Sequence, residues 1–282
     1  MTDTIDRALV LAGGGVGGIA WLLGFADGLR RQGVDVTAAD VLIGTSAGSA
    51  VAAQLATGQL EAAVGMQLSE QTSELSVQFD IDAFFAEMAA AIEQATDRSD
   101  ASRRVANLPL VNTSATAEQR RAAVAARLPV IDWPDRDLRI VAVARDTGER
   151  AVFDRTSGVG LVDAVLASCA VPGVWRPVPI GDREYVDGGV HSFSNADLAA
   201  GAQRTLLLVP GLVQPQTQQL LEEEIAALAP GKCLVIAADA ESVDAIGPNP
   251  LDPARRAVSY AAGVTQAERA GGELGEFWNA PG

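Results

Sequence analysis

Two short apolar segments are each followed by small residues and then by a helical pattern, and this repetition limits the folds open to the chain. Residues 8–12 and 41–45 are apolar runs of strand length. A run of glycines and a helix predicted over residues 18–32, ended by Gly33, follow the first strand. An Ala-rich helix predicted over residues 46–57 follows the second. Strands that alternate with helices in this way predict a mainly parallel sheet.

The alternation continues through most of the chain. Further strands are predicted at residues 138–144, 204–209 and 233–237, and further helices at 161–168, 217–229 and 253–269. Hydrophobic residues make up 48% of the chain and aromatic residues only 5%, so the core must consist mainly of Ala, Val, Leu and Ile. We therefore expect an α/β fold in which helices cover both faces of the sheet.

Charge and composition exclude several classes of function. The net charge of −15 should repel nucleic acids and anionic bilayers, so we expect no nucleic-acid partner and at most peripheral membrane contact. Residues 8–26 carry no charge, but six glycines interrupt them, which favours a strand, a loop and a buried helix over a membrane span or a targeting segment. Cys169, Cys233 and one histidine cannot form a Cys/His zinc cluster, and a reduced, cytoplasmic protein is the simplest interpretation.

Gly44-Thr45-Ser46-Ala47-Gly48 matches the G-x-S-x-G nucleophile elbow. A serine in a tight strand-to-helix turn projects its hydroxyl outward only if the residues two positions away lack side chains. The helix behind Ser46 would also direct its positive end at the site and favour a developing oxyanion. The alternative is a small-residue turn that only packs a helix on a strand.

The glycine run at residues 13–18 allows three interpretations. Gly13, Gly15 and Gly18 fit the dinucleotide-binding pattern G-x-G-x-x-G, and Asp35 or Asp40 lies about where a ribose-binding acid is expected. A second interpretation is a backbone oxyanion hole facing the carbonyl that Ser46 attacks. The third is a close crossing of helix and strand. Only the oxyanion hole gives the serine elbow a role as well.

The acid–base partner of Ser46 must be chosen from few candidates. The only histidine, His191, follows Asp187 by four residues and could serve as the base of a triad only in an unusual layout. It is instead expected to face solvent or to lie behind the site. Without a histidine, a carboxylate can accept the serine proton directly. Asp187 follows a predicted strand in Tyr185-Val186-Asp187-Gly188-Gly189, although an ordinary turn would have the same sequence. Its pKa should leave it ionised well below neutrality unless burial raises that value. Cys169 is a poor rival nucleophile because no group that would lower its pKa is evident.

Taken together, these motifs resemble the patatin-like phospholipase family. The strand with its glycine loop, GTSAGS around Ser46 and YVDGG around Asp187 occur in the order of that family. Residues 167–175, ASCAVPGVW, resemble its A-S-x-A-x-P-x-x-[FW] segment, and Asn195-Ala196-Asp197 resembles a stretch with asparagine found there. The match covers residues 8–58 and 160–200 well, and residues 66–135 hardly at all.

The resemblance implies a three-layer α/β/α fold and lipid acyl hydrolysis by a Ser46–Asp187 dyad, without a metal or organic cofactor. Gly13, Gly14 and Gly15 would supply the oxyanion donors. The chain departs from the family at Gly17, where members usually have Arg or Lys, and this loss of a cation puts a phospholipid headgroup preference in doubt.

The poorly matched residues 66–135 are expected to be an insertion within one domain that spans residues 1–282. Apolar residues from Phe79 to Phe85 continue through Met88 and Ile92 at helical spacing. We expect this helix to pack on the core; the alternative is a cap whose apolar face lines an acyl-chain groove.

Three other functions remain open from the sequence alone. They are a dinucleotide-dependent oxidoreductase, a catalytically silent binding protein that keeps the elbow for its shape, and an acyltransferase that passes the acyl group to another alcohol. The sequence does not specify the ester or the oligomeric state.

Overall fold

A computed structural model describes residues 5–78, 80–110, 115–211 and 215–280. The strands that it contains join in one sheet. They are β1 (Arg7–Leu11), β2 (Val41–Thr45), β3 (Asp137–Ala144), β4 (Arg150–Phe153), β5 (Val178–Ile180), β6 (Arg183–Asp187), β7 (Arg204–Val209) and β8 (Lys232–Ala237). Their order across the sheet is β5-β6-β3-β2-β1-β7-β8, with β4 also paired to β3.

The helices alternate with the strands in the first and last thirds of the chain. They are α1 (Gly15–Arg31), α2 (Ala47–Ala56), α3 (Leu60–Leu68), α4 (Ile81–Glu93), α5 (Arg98–Ala106), α6 (Ala117–Ala125), α7 (Leu161–Ser168), α8 (Pro215–Ala226), α9 (Ala240–Ile246) and α10 (Arg256–Trp278). The predicted helix over residues 18–32 therefore begins three residues earlier, and the one over residues 253–269 continues to Trp278.

The centre of the sheet is parallel, as predicted. β3, β2, β1, β7 and β8 run in one direction. β6 pairs antiparallel with β3, and β5 and β4 complete this antiparallel edge. Neither β4 nor β5 is evident from the sequence. Because β1 and β2 are parallel, the loops that follow them lie at the same edge of the sheet.

Alternate side chains of the central strands point into two separate cores. Leu9 and Leu11 belong to a core that α1, α2, α7 and α10 cover. Ala8 and Val10 face the opposite side, where α8 and the 3₁₀ turn Ala196–Ala199 cover the sheet. This arrangement confirms the α/β/α layers, and the burial of both faces explains why the strands are apolar throughout.

Helices α1 and α10 meet at backbone contact. A Cβ on Gly24 would lie 2.1 Å from the Tyr260 carbonyl oxygen, and one on Gly263 would lie 2.3 Å from that of Trp21. No side chain fits between the helices at either position. The glycines therefore fix the C-terminal helix against the helix that carries the glycine loop.

The helix predicted near residue 80 is present as α4, but the expectation that it packs on the core is wrong. None of its residues is buried, and Phe85 and Ile92 are 38% and 48% exposed. Its neighbour is α5 rather than the sheet. Phe79, the first residue of the predicted stripe, lies outside the described residues. No helix in the described ranges combines the length and apolarity needed to cross a bilayer.

Candidate active site

Ser46 lies in a strained turn between β2 and α2. Its φ and ψ are 53° and −118°, and among the described residues only Ser46 and Asn195 have a positive φ without being glycine. A Cβ on Gly44 would lie 2.5 Å from the Gly48 carbonyl oxygen, and one on Gly48 would lie 1.9 Å from that of Leu11. Both glycines are thus needed sterically, as the elbow pattern predicts.

The backbone of Ser46 is fixed by residues that end α7. Its N–H donates to Ser168 Oγ at 2.9 Å. Its carbonyl oxygen accepts from Cys169 Sγ at 3.2 Å and from Ser49 Oγ at 2.6 Å. These bonds hold the main chain, while the residue keeps partial solvent exposure. Ser168 thus supports the Ser46 backbone, a role that the sequence does not reveal.

Asp187 ends β6 and is almost completely buried. Its N–H donates to the Ala170 carbonyl at 3.0 Å, and its Oδ1 accepts from the Gly189 N–H at 2.8 Å. Its Oδ2 is buried and has no hydrogen-bond partner among the described residues. Since the segment 168–170 binds both Ser46 and Asp187, it sets their relative position.

The electrostatics of Asp187 suit a proton acceptor near neutral pH. Burial raises the pKa of Asp187 to about 7, against the opposing effects of the Gly189 N–H, the Ser46 hydroxyl and the Arg120 cation. The Ser46 hydroxyl is therefore a near neighbour of the carboxyl group, although the two lie outside normal hydrogen-bond geometry. A pKa near 7 exceeds the sequence expectation because Asp187 is buried.

The glycine loop borders Ser46. A Cβ on Gly13 would lie 3.4 Å from Ser46 Cβ and 3.9 Å from its Oγ. The Gly13 N–H donates to the Phe193 carbonyl at 3.0 Å and is therefore occupied. Gly14 precedes α1 and Gly15 begins it, so their N–H groups have no partner within the helix. Gly14 and Gly15 therefore each keep an N–H group that no residue of α1 uses.

Position 17 lies beneath the C-terminal part of the chain. A Cβ on Gly17 would lie 3.1 Å from Ile246 Cγ2, and the Gly17 N–H donates to the Pro250 carbonyl at 2.9 Å. Because α9 and the loop after it cover this position, any side chain there would press against Ile246. The departure at Gly17 is therefore matched by the packing around it.

Asp35 and Asp40 do not lie with the glycine loop. Asp35 caps the short 3₁₀ turn Val36–Ala38, and Asp40 Oδ2 accepts from the N–H groups of Asp6 and Arg7. Both precede β2, at the edge of the sheet opposite to the loop that follows β1. A ribose-binding acid is needed at the carboxyl ends of the strands. This placement does not favour the dinucleotide interpretation.

His191 and Cys169 have surroundings unlike those of a catalytic base and nucleophile. Burial and the cations Arg98 and Arg150 lower the pKa of His191 to about 4. No hydrogen bond in the described part of the chain joins its imidazole to Ser46 or Asp187. Burial raises the pKa of the Cys169 thiol, which therefore stays protonated at neutral pH.

Two further residues support the site. Asn195, in left-handed conformation, donates to Thr45 Oγ1 at 3.1 Å and to the Ser192 carbonyl at 2.6 Å. It thereby fixes the residue before Ser46. Arg120 of α6 approaches the site from the insertion, and no motif in the sequence marks it.

Among the described residues, no group of three or more His, Cys, Asp or Glu side chains is arranged to hold a metal ion.

The chain is similar to one protein-family model and, more distantly, to solved structures. A sequence model described as patatin-like phospholipase matches residues 9–200. No curated protein matches the chain significantly. Among solved structures, VipD from Legionella pneumophila is 12% identical with a TM-score of 0.41, over 95% of this chain and 67% of VipD. The type III effector ExoU is 16% identical with a TM-score of 0.45, over 98% of this chain and 54% of ExoU.

The raised pKa of Asp187 has a consequence for stability. A carboxyl group with a higher pKa in the folded state than in the unfolded state stabilises the fold when protonated, and this stabilisation is lost as pH rises towards 7. Asp187→Asn removes this dependence. We expect the stability of Asp187→Asn relative to wild type to increase by about 2–3 kcal/mol between pH 5 and pH 8.

Urea unfolding of both proteins at the two pH values measures this difference. Other carboxyl groups are common to both proteins and cancel. A difference in the free energy of unfolding that stays constant with pH would contradict the raised pKa.

Proposed function

The chain belongs to the patatin-like phospholipase family, whose model matches residues 9–200, and from this premise we propose that it is a serine acyl-ester hydrolase that uses a Ser46–Asp187 dyad. Family membership supports lipid acyl hydrolase activity in general. The observation that carries the dyad is the common support of both residues by segment 168–170, which holds Ser46 beside a buried carboxyl group.

In the proposed acylation, Ser46 Oγ attacks the carbonyl carbon of the ester while its proton passes to Asp187. The available acceptor is Oδ2, since Oδ1 already accepts from Gly189. When the tetrahedral intermediate collapses, the ester C–O bond breaks and the leaving alcohol takes the proton from Asp187. Water then attacks the acyl-enzyme, gives its proton to Asp187 and releases the carboxylic acid, and the proton returns to Ser46.

The oxyanion of each intermediate would be stabilised by backbone donors. Gly14 and Gly15 offer N–H groups without an intrahelical partner, beside Ser46. The amino ends of α1 and α2 both lie at this edge of the sheet, and their dipoles favour a negative charge there. In this proposal Gly13 holds the loop through Phe193 instead of binding the oxyanion.

The preferred substrate in this proposal is a neutral or weakly polar ester. The net charge of −15 repels anionic interfaces. Gly17 contributes no cation, and Ile246 packs closely over it. An anionic headgroup would therefore find no compensating charge from that position.

Ser46 should be the one serine that reacts with a fluorophosphonate. Its turn exposes the hydroxyl next to oxyanion donors and a base. Intact-protein mass spectrometry should show a single adduct that is absent in Ser46→Ala. Labelling at another serine would refute the assignment, and a folded protein that neither reacts nor hydrolyses esters would be a silent binding protein.

The base should be Asp187 and not His191. His191→Ala should keep most of the kcat/KM for a short-chain p-nitrophenyl ester, whereas Asp187→Asn should lose nearly all of it, because the amide keeps the shape but cannot accept the serine proton. Folded variants are compared at one pH by circular dichroism and initial rates. Comparable losses in both variants would indicate a triad.

A methyl group on Gly13 should hinder hydrolysis without unfolding the protein. Its Cβ would meet ordinary van der Waals distances, but it would stand 3.9 Å from Ser46 Oγ, where the proposed oxyanion forms. We expect Gly13→Ala to lower kcat/KM by up to about 10²–10³, the usual effect of losing one donor.

The matched control is Gly65→Ala on α3, where a Cβ meets open space. Unchanged turnover in a folded Gly13→Ala variant would place the oxyanion elsewhere.

A further inference from the structure

Four charged side chains form a buried group behind the proposed dyad. They are Asp187, Arg120, Arg127 and Glu74. The first three are at most 8% exposed, and the Glu74 side chain is 10% exposed. Arg120 and Arg127 come from α6 and the residue stretch after it, and Glu74 comes from the segment between α3 and α4. All three lie within the insertion that the family motifs do not cover.

Both carboxylate oxygens of Glu74 accept hydrogen bonds from Arg127. Arg127 Nε donates to Glu74 Oε1 at 2.7 Å, and its Nη2 donates to Oε2 at 2.6 Å. This two-bond geometry is the strongest that a guanidinium and a carboxylate form. Burial opposes ionisation of Glu74, yet Arg127 lowers its pKa overall. Glu74 therefore neutralises Arg127, and both of its oxygens accept from that residue.

Among the described residues, no carboxylate forms a salt bridge with Arg120. Its Nη2 donates to the Cys169 carbonyl at 3.2 Å, and its guanidinium lies 4.1 Å from the centre of the Trp175 ring. Its Nε is buried without a hydrogen-bond partner within the described ranges. Burial and the charge of Arg127 lower the pKa of Arg120 to about 10, so it remains a cation at neutral pH.

Arg120 and Asp187 are attached to adjacent peptide groups. Arg120 binds the carbonyl of Cys169, and the N–H of Asp187 binds the carbonyl of Ala170. Each attracts the other electrostatically. With Glu74 and Arg127 paired, the group is neutral only when Asp187 is ionised. A buried charge without a counter-charge is costly, so the arrangement favours ionised Asp187.

The other titratable groups around Asp187 cannot play this part. The Cys169 thiol at the end of α7 is uncharged because burial raises its pKa. His191, in the turn after Asp187, interacts with Arg98, Arg150 and Asp197. On β3, the partner of Asp187 is Ala142, which carries no charge. Arg120 is the cation that acts on Asp187.

We propose that Arg120 is a positioning residue that supplies the counter-charge of Asp187 and so keeps this carboxyl group available as a proton acceptor near neutral pH. The catalytic use of Asp187 rests on the proposed function, whereas the pairing of charges does not. The Glu74–Arg127 pair has a distinct part, since its hydrogen bonds direct both oxygens of Glu74 to Arg127.

The test is a direct titration of the Asp187 carboxyl group by ¹³C NMR in protein labelled at aspartate side chains. Asp187→Asn identifies the signal by its disappearance. Arg120→Met should raise the titration midpoint of Asp187 by about one pH unit or more, because an attractive cation is lost. Met fills a similar volume against Trp175, and replacing a buried ion with an apolar residue is often tolerated.

Arg121→Gln is the matched control. Arg121 is the next residue, is 51% exposed at its side chain and pairs with Asp163, so the midpoint of Asp187 should not move. Arg120→Lys keeps the charge and should keep the midpoint closer to wild type. If Arg120→Met does not fold, Arg120→Lys decides, and a rise of a full pH unit in the Asp187 midpoint there would overturn the proposal.

An unchanged midpoint in folded Arg120→Met would also overturn it. The acid limb of the kcat/KM profile should move with the NMR midpoint if Asp187 is the base, whereas a purely structural role of Arg120 would lower activity at all pH values alike. If the NMR midpoint moves but Asp187→Asn still hydrolyses esters, the counter-charge stands and the proposed dyad fails.

Discussion

The site depends on a close approach of two main chains: Gly48 of α2 packs so tightly against the carbonyl of Leu11 that a Cβ would lie 1.9 Å away. This contact brings the start of α2 against β1, next to the loop that β1 leads into. Ser46 must then turn through a positive φ to connect β2 with α2. The proximity of Ser46 to Gly13 follows from the same contact. Strain at one non-glycine residue is kept only where its surroundings enforce it, and here β1 and α2 enforce it from two sides.

The second constraint is the end of α7. Ser46 forms hydrogen bonds with Ser168 and Cys169, and Asp187 forms one with Ala170. The carbonyl of Cys169 also accepts from Arg120. Three elements that are distant in sequence therefore meet on one short segment. This explains why small residues occur there, since each contact is made by a backbone group or by a side chain of one heavy atom beyond Cβ. It also joins the insertion to the core, because Arg120 of α6 donates to the Cys169 carbonyl.

The sequence was sufficient for elements whose burial pattern is uniform. β2, β7 and α7 have the predicted bounds, because apolar runs and small residues determine them locally. Gly271, Gly272 and Gly275 would weaken an isolated helix, yet α10 continues past its predicted end through all three. The packing of α10 on α1 compensates for their low helix propensity. The position of α4 depends on α5, and the role of Arg120 depends on Glu74 being taken by Arg127. Both depend on tertiary contacts, which leave no recognisable pattern in the local sequence.

A dyad without histidine requires a carboxylate whose pKa is close to that of an imidazole. An exposed aspartate is too weak a base near pH 7, since its ordinary pKa is about 3.9. Burial raises the pKa of Asp187 to about 7, close to the value of an unperturbed histidine. Burial alone would also keep the group protonated, and an uncompensated buried charge would destabilise the fold. A cation held nearby without a carboxylate of its own limits that rise. The environment of Asp187, and not the type of residue, thus determines whether it can act as the base.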